Sequence, residues 1–190
     1  QQKRGQRIIT NKALASMGYG LSGGIGAAIS SGLRTVLLEG DGGFSQNIQE
    51  LGTVAAQNLN IKIFIFDDAG HASIRMTQRN YFSGKYIGCD RATNLGLPNW
   101  DKVGNVWGID SMRLSNLNEM NQAEFQRLFN EAGPAIFILS ICPDQTYFPK
   151  IASRMLPSGS MESNPLHAMS PPLADSISGK VFRYISPPEY

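Results

Sequence analysis

Short apolar runs alternate with amphipathic segments along the first three quarters of the chain. The apolar runs are rich in β-branched residues and predict strands, whereas the amphipathic segments predict helices. The predicted strands are Arg7–Thr10, Thr35–Glu39, Lys62–Phe66, Ser111–Leu114 and Ala135–Ile141. The predicted helices are approximately Gly18–Ser30, Gln46–Gln57, Ser73–Tyr81, Trp100–Trp107 and Gln122–Glu131. This alternation is typical of a parallel sheet with crossover helices, so we predict an α/β fold.

The apolar middle of each predicted strand indicates how the sheet is covered. Because the run is nearly continuous, most clearly in the sequence KIFIF of Lys62–Phe66, we expect helices on both faces of the parallel sheet.

From about Pro157 the chain is dense in Pro and Ser, which predicts an extended C-terminal tail. We therefore expect a domain over residues 1–155 and a tail over residues 156–190. The chain begins in a polar run just before a predicted strand, so we expect the domain to be truncated at its N-terminus.

Composition and charge narrow the classes of partner. The 190 residues are enough for one well-buried domain, and the composition is 42% hydrophobic and 17% charged. A net charge of only +2 creates no strong basic field, so nucleic acid is a poor candidate partner. No apolar run approaches the ~20 residues needed to cross a bilayer, and the N-terminal stretch lacks the pattern of a signal peptide. We therefore expect a cytoplasmic protein with no membrane partner. Cys89 and Cys142 lie far apart, outside any metal-ligand spacing.

Two segments rich in Gly and Asp follow neighbouring predicted strands. They are Gly40–Gly43, with the sequence GDGG, and Asp67–Gly70, with the sequence DDAG. Ligands of open α/β sheets bind at the carboxyl ends of the strands, so the two loops could face one site. Glycines let the backbone approach a phosphate, and a helix starting near Gln46 would offer free amide groups. Asp41, Asp68 and a carbonyl near Gly70 would suit a magnesium ion. Either segment alone is an ordinary turn, but the pair is more specific.

The two loops together resemble the fingerprint of thiamine-diphosphate-dependent enzymes. In that family a Gly-Asp-Gly sequence is followed by a helix, a strand and an Asn-Asn pair, and the spacing between Asp41 and Asp68 fits. The resemblance implies that Asp41, Asp68 and the Gly70 carbonyl hold a magnesium ion. It also implies that the glycine loop, formed by Gly40, Gly42 and Gly43, binds the diphosphate of the cofactor.

The upstream sequence ITNKALASMGYGL, residues 9–21, resembles the acetolactate synthase segment that holds the aminopyrimidine ring of the cofactor. There a bulky apolar residue lies beneath the cofactor and forces its bent conformation, and Met17 matches this residue. The Ala15 carbonyl would accept the hydrogen bond of the 4′-amino group. Without the downstream loops, Met17 would be interpreted as a plain core methionine.

The chain departs from the family pattern at several positions. The usual Asn-Asn pair is Asp67-Asp68, which makes the ligand charged and leaves the identity of the metal open. A serine that often follows Gly-Asp-Gly is Gly43, and the usual glycines before the methionine are Ala13 and Ala15. The alanines at positions 13 and 15 leave main-chain contacts with the cofactor available, because those contacts need no side chain.

Three further side chains follow the second loop. His71 is a weak catalytic candidate that could contact the diphosphate or the substrate, but it could equally be a loop histidine without a catalytic role. Arg75 and Gln78 lie on the next predicted helix, and we expect them at the surface. No residue of this chain is assigned a certain catalytic role.

The resemblance covers residues 7 to about 155 and implies an enzyme of the acetolactate synthase type. Such an enzyme decarboxylates a 2-oxo acid such as pyruvate and passes the remaining fragment to an acceptor carbonyl, or protonates it. The resemblance implies a homodimer or homotetramer, in which the pyrimidine-binding domain of a partner subunit completes each site. Nothing in this chain corresponds to that domain, so we expect the chain to be part of the catalyst.

Two alternatives belong to other classes of protein. Gly18–Gly23 spells G-x-G-x-x-G, and Glu39 ends the next strand, which is the pattern of a dinucleotide-binding Rossmann oxidoreductase. That pattern should follow a strand at once, whereas seven residues, NKALASM, intervene here. A noncatalytic binding protein that has kept the fold is the second alternative.

Overall fold

The computed structural model describes residues 3–11, 14–146, 148–165 and 167–184 of the chain. It separates into two compact units, Gln1–Asp144 and Gln145–Tyr190. The helices of the first unit are α1 (Tyr19–Ser31), α2 (Asp41–Phe44), α3 (Leu51–Ala56), α4 (Ala72–Tyr81), α5 (Trp100–Val106) and α6 (Ala123–Asn130). Its strands are β1 (Thr35–Gly40), β2 (Ile61–Asp67), β3 (Ser111–Leu114) and β4 (Ala135–Ser140). Single 3-10 turns occur at Ser45–Glu50, Arg91–Thr93 and Leu117–Asn121.

The described residues of the second unit form short elements. Two antiparallel strand pairs form in it, one between β5 (Lys150–Ile151) and β8 (Met169–Ser170) and one between β6 (Ser153–Met155) and β7 (Met161–Ser163). A helical segment, α7, spans Asp175–Val181. The division of the chain into a domain and a tail at residues 155 and 156 stays a prediction. Among the described residues, no helix is both long and apolar enough to span a membrane.

Four parallel strands form the sheet of the first unit, in the order β1-β2-β4-β3. The predicted α/β class with a parallel sheet is confirmed, and four predicted strands form at the expected places. The fifth prediction, a strand at Arg7–Thr10, is wrong, because this segment is irregular. Its two isoleucines, Ile8 and Ile9, are exposed, so no apolar packing stabilises an extended pairing there.

The alternation of side chains along β2 explains how both faces of the sheet are covered. Ile61, Ile63 and Ile65 point into one core, which is shared with helices α1, α3 and α5. Phe64 points into the other core, where it meets Phe125 of α6 and other aromatic residues. The prediction of helices on both faces is therefore confirmed for the centre of the sheet.

Strand β1, at the edge of the sheet, is covered on one face only. Leu37 packs into the first core, but Val36 and Leu38 on the opposite face are 47% and 62% exposed. The expectation that every strand would be buried on both faces is therefore wrong for β1. Helix α6 packs over β2 and β4, so it leaves this face of the edge strand β1 exposed.

A fully buried lysine ties the amino-terminal end of β2 to the end of α6. Lys62 is 1% exposed, and its ammonium group donates to the carbonyl oxygens of Glu131 at 2.8 Å and Gly133 at 2.7 Å. Burial and the nearby Arg34 lower the pKa of Lys62, whereas Glu131 raises it. The two hydrogen bonds satisfy carbonyl groups that follow α6 and lie away from water.

We predict that Lys62→Met destabilises the fold by about 1–3 kcal/mol, because the variant leaves two carbonyl groups without a donor. Methionine has a similar length and fills the same space, so the loss reports the hydrogen bonds more than the packing. The midpoint of urea unfolding measures the effect. Lys102→Met, at an exposed position on α5, serves as the control. Equal midpoints for the two variants would contradict this account.

Candidate functional site

The two predicted loops meet at the carboxyl ends of adjacent strands. Strands β1 and β2 are parallel and in register, with Gly40 opposite Phe66, so Asp41 and Asp68 leave the sheet on the same edge. A Cβ placed on Gly42 would lie 3.0 Å from the Gly70 carbonyl oxygen. The structure therefore brings together the Gly40–Gly43 loop and the Asp67–Gly70 loop, as the sequence predicted.

The chain after β1 turns into short helical pieces and not into one long helix. Gly40 has an extended backbone, with ψ at 150°, and helix α2 begins at the next residue, Asp41. A 3-10 turn over Ser45–Glu50 is kinked at Asn47, and α3 follows. The predicted helix start near Gln46 is therefore wrong. Two consecutive glycines are poor helix formers, which explains why the first turns are short and irregular.

The carboxylate of Asp41 is buried and incompletely satisfied. Asp41 is 0% exposed, and its Oδ1 accepts a hydrogen bond of 2.8 Å from the Gly42 amide. Its Oδ2 is buried and accepts no hydrogen bond from any described residue. Burial and the neighbouring Asp68 carboxylate raise the pKa of Asp41 to about 7, while the amide groups of Gly42 and Gly70 oppose this shift. A buried acceptor without a donor is costly, and a cation beside Oδ2 would remove the cost.

The neighbouring Asp68 is partly buried, with its side chain 14% exposed, and faces an arginine. Burial raises the pKa of Asp68, and Arg75 is the main opposing influence. Arg75 donates to the main-chain oxygens of Asp68 and Pro143, and its Nη2 lies 3.6 Å from Asp68 Oδ1. The expectation that Arg75 lies at the surface is therefore wrong, since its side chain is 12% exposed. Gln78 is also partly buried and bonds the main chain of Ile87 in both directions.

The additional carboxylate of Asp67 has its own partner away from Asp41. Arg113 of β3 donates to Asp67 Oδ2 at 2.9 Å, and the same guanidinium bonds Asp101 at 2.7 Å and Ser140 at 3.0 Å. Arg113 is shared between two carboxylates, so it offsets only part of the charge that the Asp-Asp pair adds, and Asp67 still contributes to the raised pKa of Asp41. Asp68 remains as the carboxylate that faces the site together with Asp41.

His71 lies directly against the glycine loop. A Cβ on Gly42 would collide with the imidazole, whose Nδ1 is buried and accepts no hydrogen bond within the described part of the chain. Gly70 has a φ of +148°, and a Cβ there would collide with the carbonyl oxygen of Cys89. A side chain at position 42 would displace His71 and one at position 70 would displace the main chain of Cys89, so the two glycines allow the loops to approach closely.

We predict that Gly42→Ala weakens binding of thiamine diphosphate by about tenfold or more, because the added methyl group displaces His71 and widens the loop. Titration calorimetry in the presence of magnesium measures the change. The matched control is Gly26→Ala in the middle of α1, where the Cβ points into open space. The control should gain about 1 kcal/mol of stability from its better helix propensity and bind unchanged. Equal affinities for the two variants would sink the prediction.

The segment that precedes α1 is placed beside the helical turns that follow the glycine loop. Met17 is 44% exposed, and its sulfur lies 3.7 Å from Nε2 of Gln46. The exposure excludes the interpretation of Met17 as a plain core methionine. Ala15 has a φ of +48°, in the left-handed region that glycine adopts most readily. Ala13, the other departure from glycine, lies outside the described residues.

The start of α1 is occupied by a side chain of the protein itself. The Glu39 carboxylate fills the space where Gly20 lacks a Cβ, with its Cδ 2.6 Å from the position of that atom. Burial raises the pKa of Glu39, and hydrogen bonding to the main-chain amides of Gly20, Leu21 and Gly18 opposes the shift. A dinucleotide would place its pyrophosphate against these same amides. The position of Glu39 therefore disfavours the Rossmann alternative.

Several polar contacts around the site are not predicted from the sequence. Asn47 donates to the Gly18 carbonyl oxygen at 2.9 Å and to Ser22 Oγ at 3.0 Å. Neither this contact nor the pairing of Arg113 with Asp67 is signalled by local pattern, because the partners are distant in sequence. For Glu39, the local signal is an acidic residue at a strand end, which indicates a candidate ribose ligand and not a contact with the start of α1.

The fold and the two loops define a class of protein. It is an α/β domain in which the fully buried Asp41, the partly buried Asp68 and a glycine loop lie together at the carboxyl ends of parallel strands. Within the described residues, no group of three or more His, Cys, Asp or Glu side chains is placed to hold a metal ion by itself, and Cys89 and Cys142 are free. The predicted metal ligands comprise only two carboxylates and a main-chain carbonyl.

Residues 1–139 match the model of a family described as thiamine pyrophosphate enzyme, C-terminal TPP binding domain. The chain belongs to this family. Thiamine pyrophosphate is another name for thiamine diphosphate, so the predicted family and the predicted organic cofactor are both confirmed.

Curated relatives of the chain are acetolactate synthases. The large subunit of isozyme 2 from Escherichia coli is 28% identical over 168 residues, which cover 88% of this chain and 29% of the relative. A probable large subunit from Methanococcus aeolicus is 31% identical over 85% of this chain and 26% of the relative. The enzyme from Arthrospira platensis is 29% identical over 77% of this chain and 25% of the relative. The chain thus spans about a quarter of the length of these relatives.

Solved structures support the fold. The thiamine diphosphate-dependent 4-hydroxybenzoylformate decarboxylase of Rhodococcus jostii RHA1 superposes with a TM-score of 0.59 at 18% identity, covering 66% of this chain and 23% of that one. Benzoylformate decarboxylase from Polynucleobacter necessarius gives a TM-score of 0.58 at 20% identity, covering 68% and 24%. The identities are low, so these neighbours bear on the fold alone.

Proposed function

We propose that the chain is the diphosphate- and magnesium-binding part of a thiamine-diphosphate-dependent 2-oxo acid carboligase or decarboxylase of the acetolactate synthase type. The observation that carries the proposal is the buried Asp41 Oδ2, which has no donor and faces the same edge of the sheet as Asp68. The neighbouring carboxylates of Asp41 and Asp68 both have raised pKa values, so their ionised forms are unfavourable next to each other, and a cation between them would remove this cost. Magnesium fits because it takes one or two carboxylates and completes its shell with phosphate and water.

The ligand set assigned to magnesium is Asp41, Asp68 and the Gly70 carbonyl. The glycine loop of Gly40, Gly42 and Gly43 would approach the diphosphate with its main chain, and His71 would lie beside it. The absence of a side chain at Gly42 supports this arrangement. It allows the His71 imidazole and the Gly70 carbonyl to lie directly against the glycine loop.

The segment before α1 is assigned to the ring of the cofactor. The Ala15 carbonyl would accept a hydrogen bond from the amino group, and the exposed Met17 would support the ring from below. In support, Met17 lies beside Gln46, immediately after the glycine loop and α2, so both parts of one cofactor could be reached.

When bound, thiamine diphosphate supplies a carbon nucleophile for the carbonyl of a 2-oxo acid and an acceptor for the electron pair that carbon dioxide leaves behind. The residues of this chain would bind and orient the cofactor, and Asp41 and Asp68 would hold the magnesium ion that balances the charge of its diphosphate. A pyrimidine-binding domain, contributed by a partner subunit in a homodimer or homotetramer, would complete the site. Pyruvate is the proposed substrate, because the curated relatives are acetolactate synthases. The cytoplasmic location stays a prediction.

Titration calorimetry of the native polypeptide with thiamine diphosphate, with and without magnesium, tests the proposal. Nicotinamide dinucleotide is titrated in parallel. We expect binding of thiamine diphosphate that requires magnesium, together with consumption of pyruvate and release of carbon dioxide. Binding of the dinucleotide alone, or of neither compound, would overturn the proposal. Binding without any turnover of 2-oxo acids would favour the noncatalytic alternative.

A further inference from the structure

The side chain of Glu39 lies between the two segments that the proposed function assigns to the cofactor. On one side, its carboxylate occupies the space next to Gly20 at the start of α1. On the other side, its Oε1 lies 3.1 Å from the position of a Cβ on Gly43, in the diphosphate loop. Glu39 is therefore in contact with both the helix that follows Met17 and the loop that contains Asp41.

The first turn of α1 needs an acceptor that its own sequence does not provide. Helix α1 has 13 residues, and its N-cap is Gly18, which has no side chain to cap the free amide groups. The carboxylate of Glu39 lies at this turn, where burial raises its pKa and the main-chain amides of Gly20, Leu21 and Gly18 oppose that rise. Its Oε2 is the atom nearest to the Cβ position of Gly20 and is buried without a hydrogen-bond partner among the described residues, so this side chain packs against the helix start.

The same turn is also held through its carbonyl group. Asn47, on the turn after the diphosphate loop, donates to the Gly18 carbonyl oxygen and to Ser22. Gly18 has a φ of +83°, and a Cβ there would lie 3.2 Å from Gln46 Cβ, so the two segments pack closely. The spacing between Met17 and the diphosphate loop therefore depends on a small number of side chains, of which Glu39 is the one that contacts both α1 and Gly43.

We propose that Glu39 is a positioning residue for thiamine diphosphate, and that its carboxylate sets the distance between the segment that supports the ring and the loop that binds the diphosphate. The inference rests on the proposed function. Glu39 touches neither part of the cofactor and acts through the start of α1 and through Gly43. Its length and its ability to accept hydrogen bonds are what the role requires, and a negative charge is not.

This requirement separates three variants of the native polypeptide. Glu39→Ala removes the acceptor, and Glu39→Asp keeps the carboxylate but is one methylene group too short to reach. Glu39→Gln keeps both the length and an acceptor oxygen. Affinity for thiamine diphosphate and for inorganic diphosphate, each with magnesium, is measured by calorimetry. The comparison works because inorganic diphosphate needs only the loop, whereas thiamine diphosphate needs the loop and the ring segment at the right spacing.

We expect Glu39→Ala and Glu39→Asp to lose about tenfold or more in affinity for thiamine diphosphate but less than about twofold for inorganic diphosphate. Glu39→Gln should stay within about threefold of the wild type for both ligands. Gly20→Ala, which pushes the carboxylate away without changing it, should behave like Glu39→Ala. Glu124→Ala, an exposed acid on α6, is the matched control and should bind both ligands as the wild type does.

The inference is overturned if the Glu39 variants lose affinity for both ligands equally, since the role would then be general to the loop or the fold. It is also overturned if Glu39→Gln is as weak as Glu39→Ala, because charge would then be what matters. A wild type that binds neither ligand would overturn the proposed function itself. These results are distinct from one another in a single set of titrations.

Discussion

Replacing Asp41 with asparagine should abolish magnesium-dependent binding of thiamine diphosphate, with a loss of at least about 100-fold in affinity. Asparagine keeps an oxygen for the Gly42 amide, so the loop retains its hydrogen bond. It removes the negative charge at the buried Oδ2, which is the atom proposed to face the metal. Calorimetry with the native polypeptide measures the loss, first with the cofactor at constant magnesium and then with magnesium at constant cofactor.

The same variant should not be less stable than the wild type when no ligand is present. Asp41 is fully buried and carries a raised pKa, so the ionised carboxylate is a cost to the ligand-free fold. This outcome separates loss of a metal ligand from loss of structure. Asp110→Asn, at an exposed position paired with Arg127, is the control and should bind within about twofold of the wild type. If Asp41→Asn binds the cofactor with unchanged magnesium dependence, Asp41 is not a metal ligand.

The ligand-free protein should become less stable as the pH rises from about 5 to about 8. The folded-state pKa of Asp41 is about 7, whereas an unfolded aspartate has a pKa of about 3.9. Between these values the folded state holds a proton that the unfolded state has released, so stability falls with rising pH and levels off above the folded pKa. Over this range the loss is about 3 kcal/mol, at 1.36 kcal/mol for each pH unit between 5 and 7. Asp68 and Glu39, whose pKa values are also raised, act in the same direction.

Urea unfolding at pH 5, 6, 7 and 8 measures this dependence. The Asp41→Asn variant should show a clearly flatter profile, because it lacks the group with the largest effect. Saturating magnesium and thiamine diphosphate should remove the loss, since a bound metal requires and stabilises the ionised carboxylate. A wild-type profile that is flat, or that rises with pH, would show that Asp41 is not protonated in the ligand-free fold.

Sequence reasoning located the candidate loops because their signals are local. The apolar run of Lys62–Phe66 identifies a central strand, and Asp67 and Asp68 follow it immediately. Parallel strands then oblige consecutive strand ends to share one edge, which is why Asp41 could be placed near Asp68 before the structure was known. The helices Tyr19–Ser31 and Ala123–Asn130 also follow from their periodicity, within a residue of their predicted ends.

Predictions failed where the outcome depended on a distant partner. Ile8 and Ile9 are β-branched and favour a strand, but no neighbouring chain pairs with them among the described residues. Arg75 was expected at the surface because it lies on an amphipathic helix, yet it folds back onto the carbonyl oxygens of Asp68 and Pro143. A charged residue becomes buried only where such acceptors exist, and these acceptors come from other loops.

By itself, the sequence determined the class of fold, the cofactor family and the two loops in which the metal ligands are proposed, because strand periodicity and glycine-aspartate motifs are encoded in adjacent residues. The tertiary structure alone decided how charge is balanced around those loops. It paired Asp67 with Arg113, left Asp41 Oδ2 without a donor, and placed Glu39 at the start of α1. These contacts depend on side chains that are far apart in sequence and meet only after the sheet has assembled, so no local pattern could have specified them.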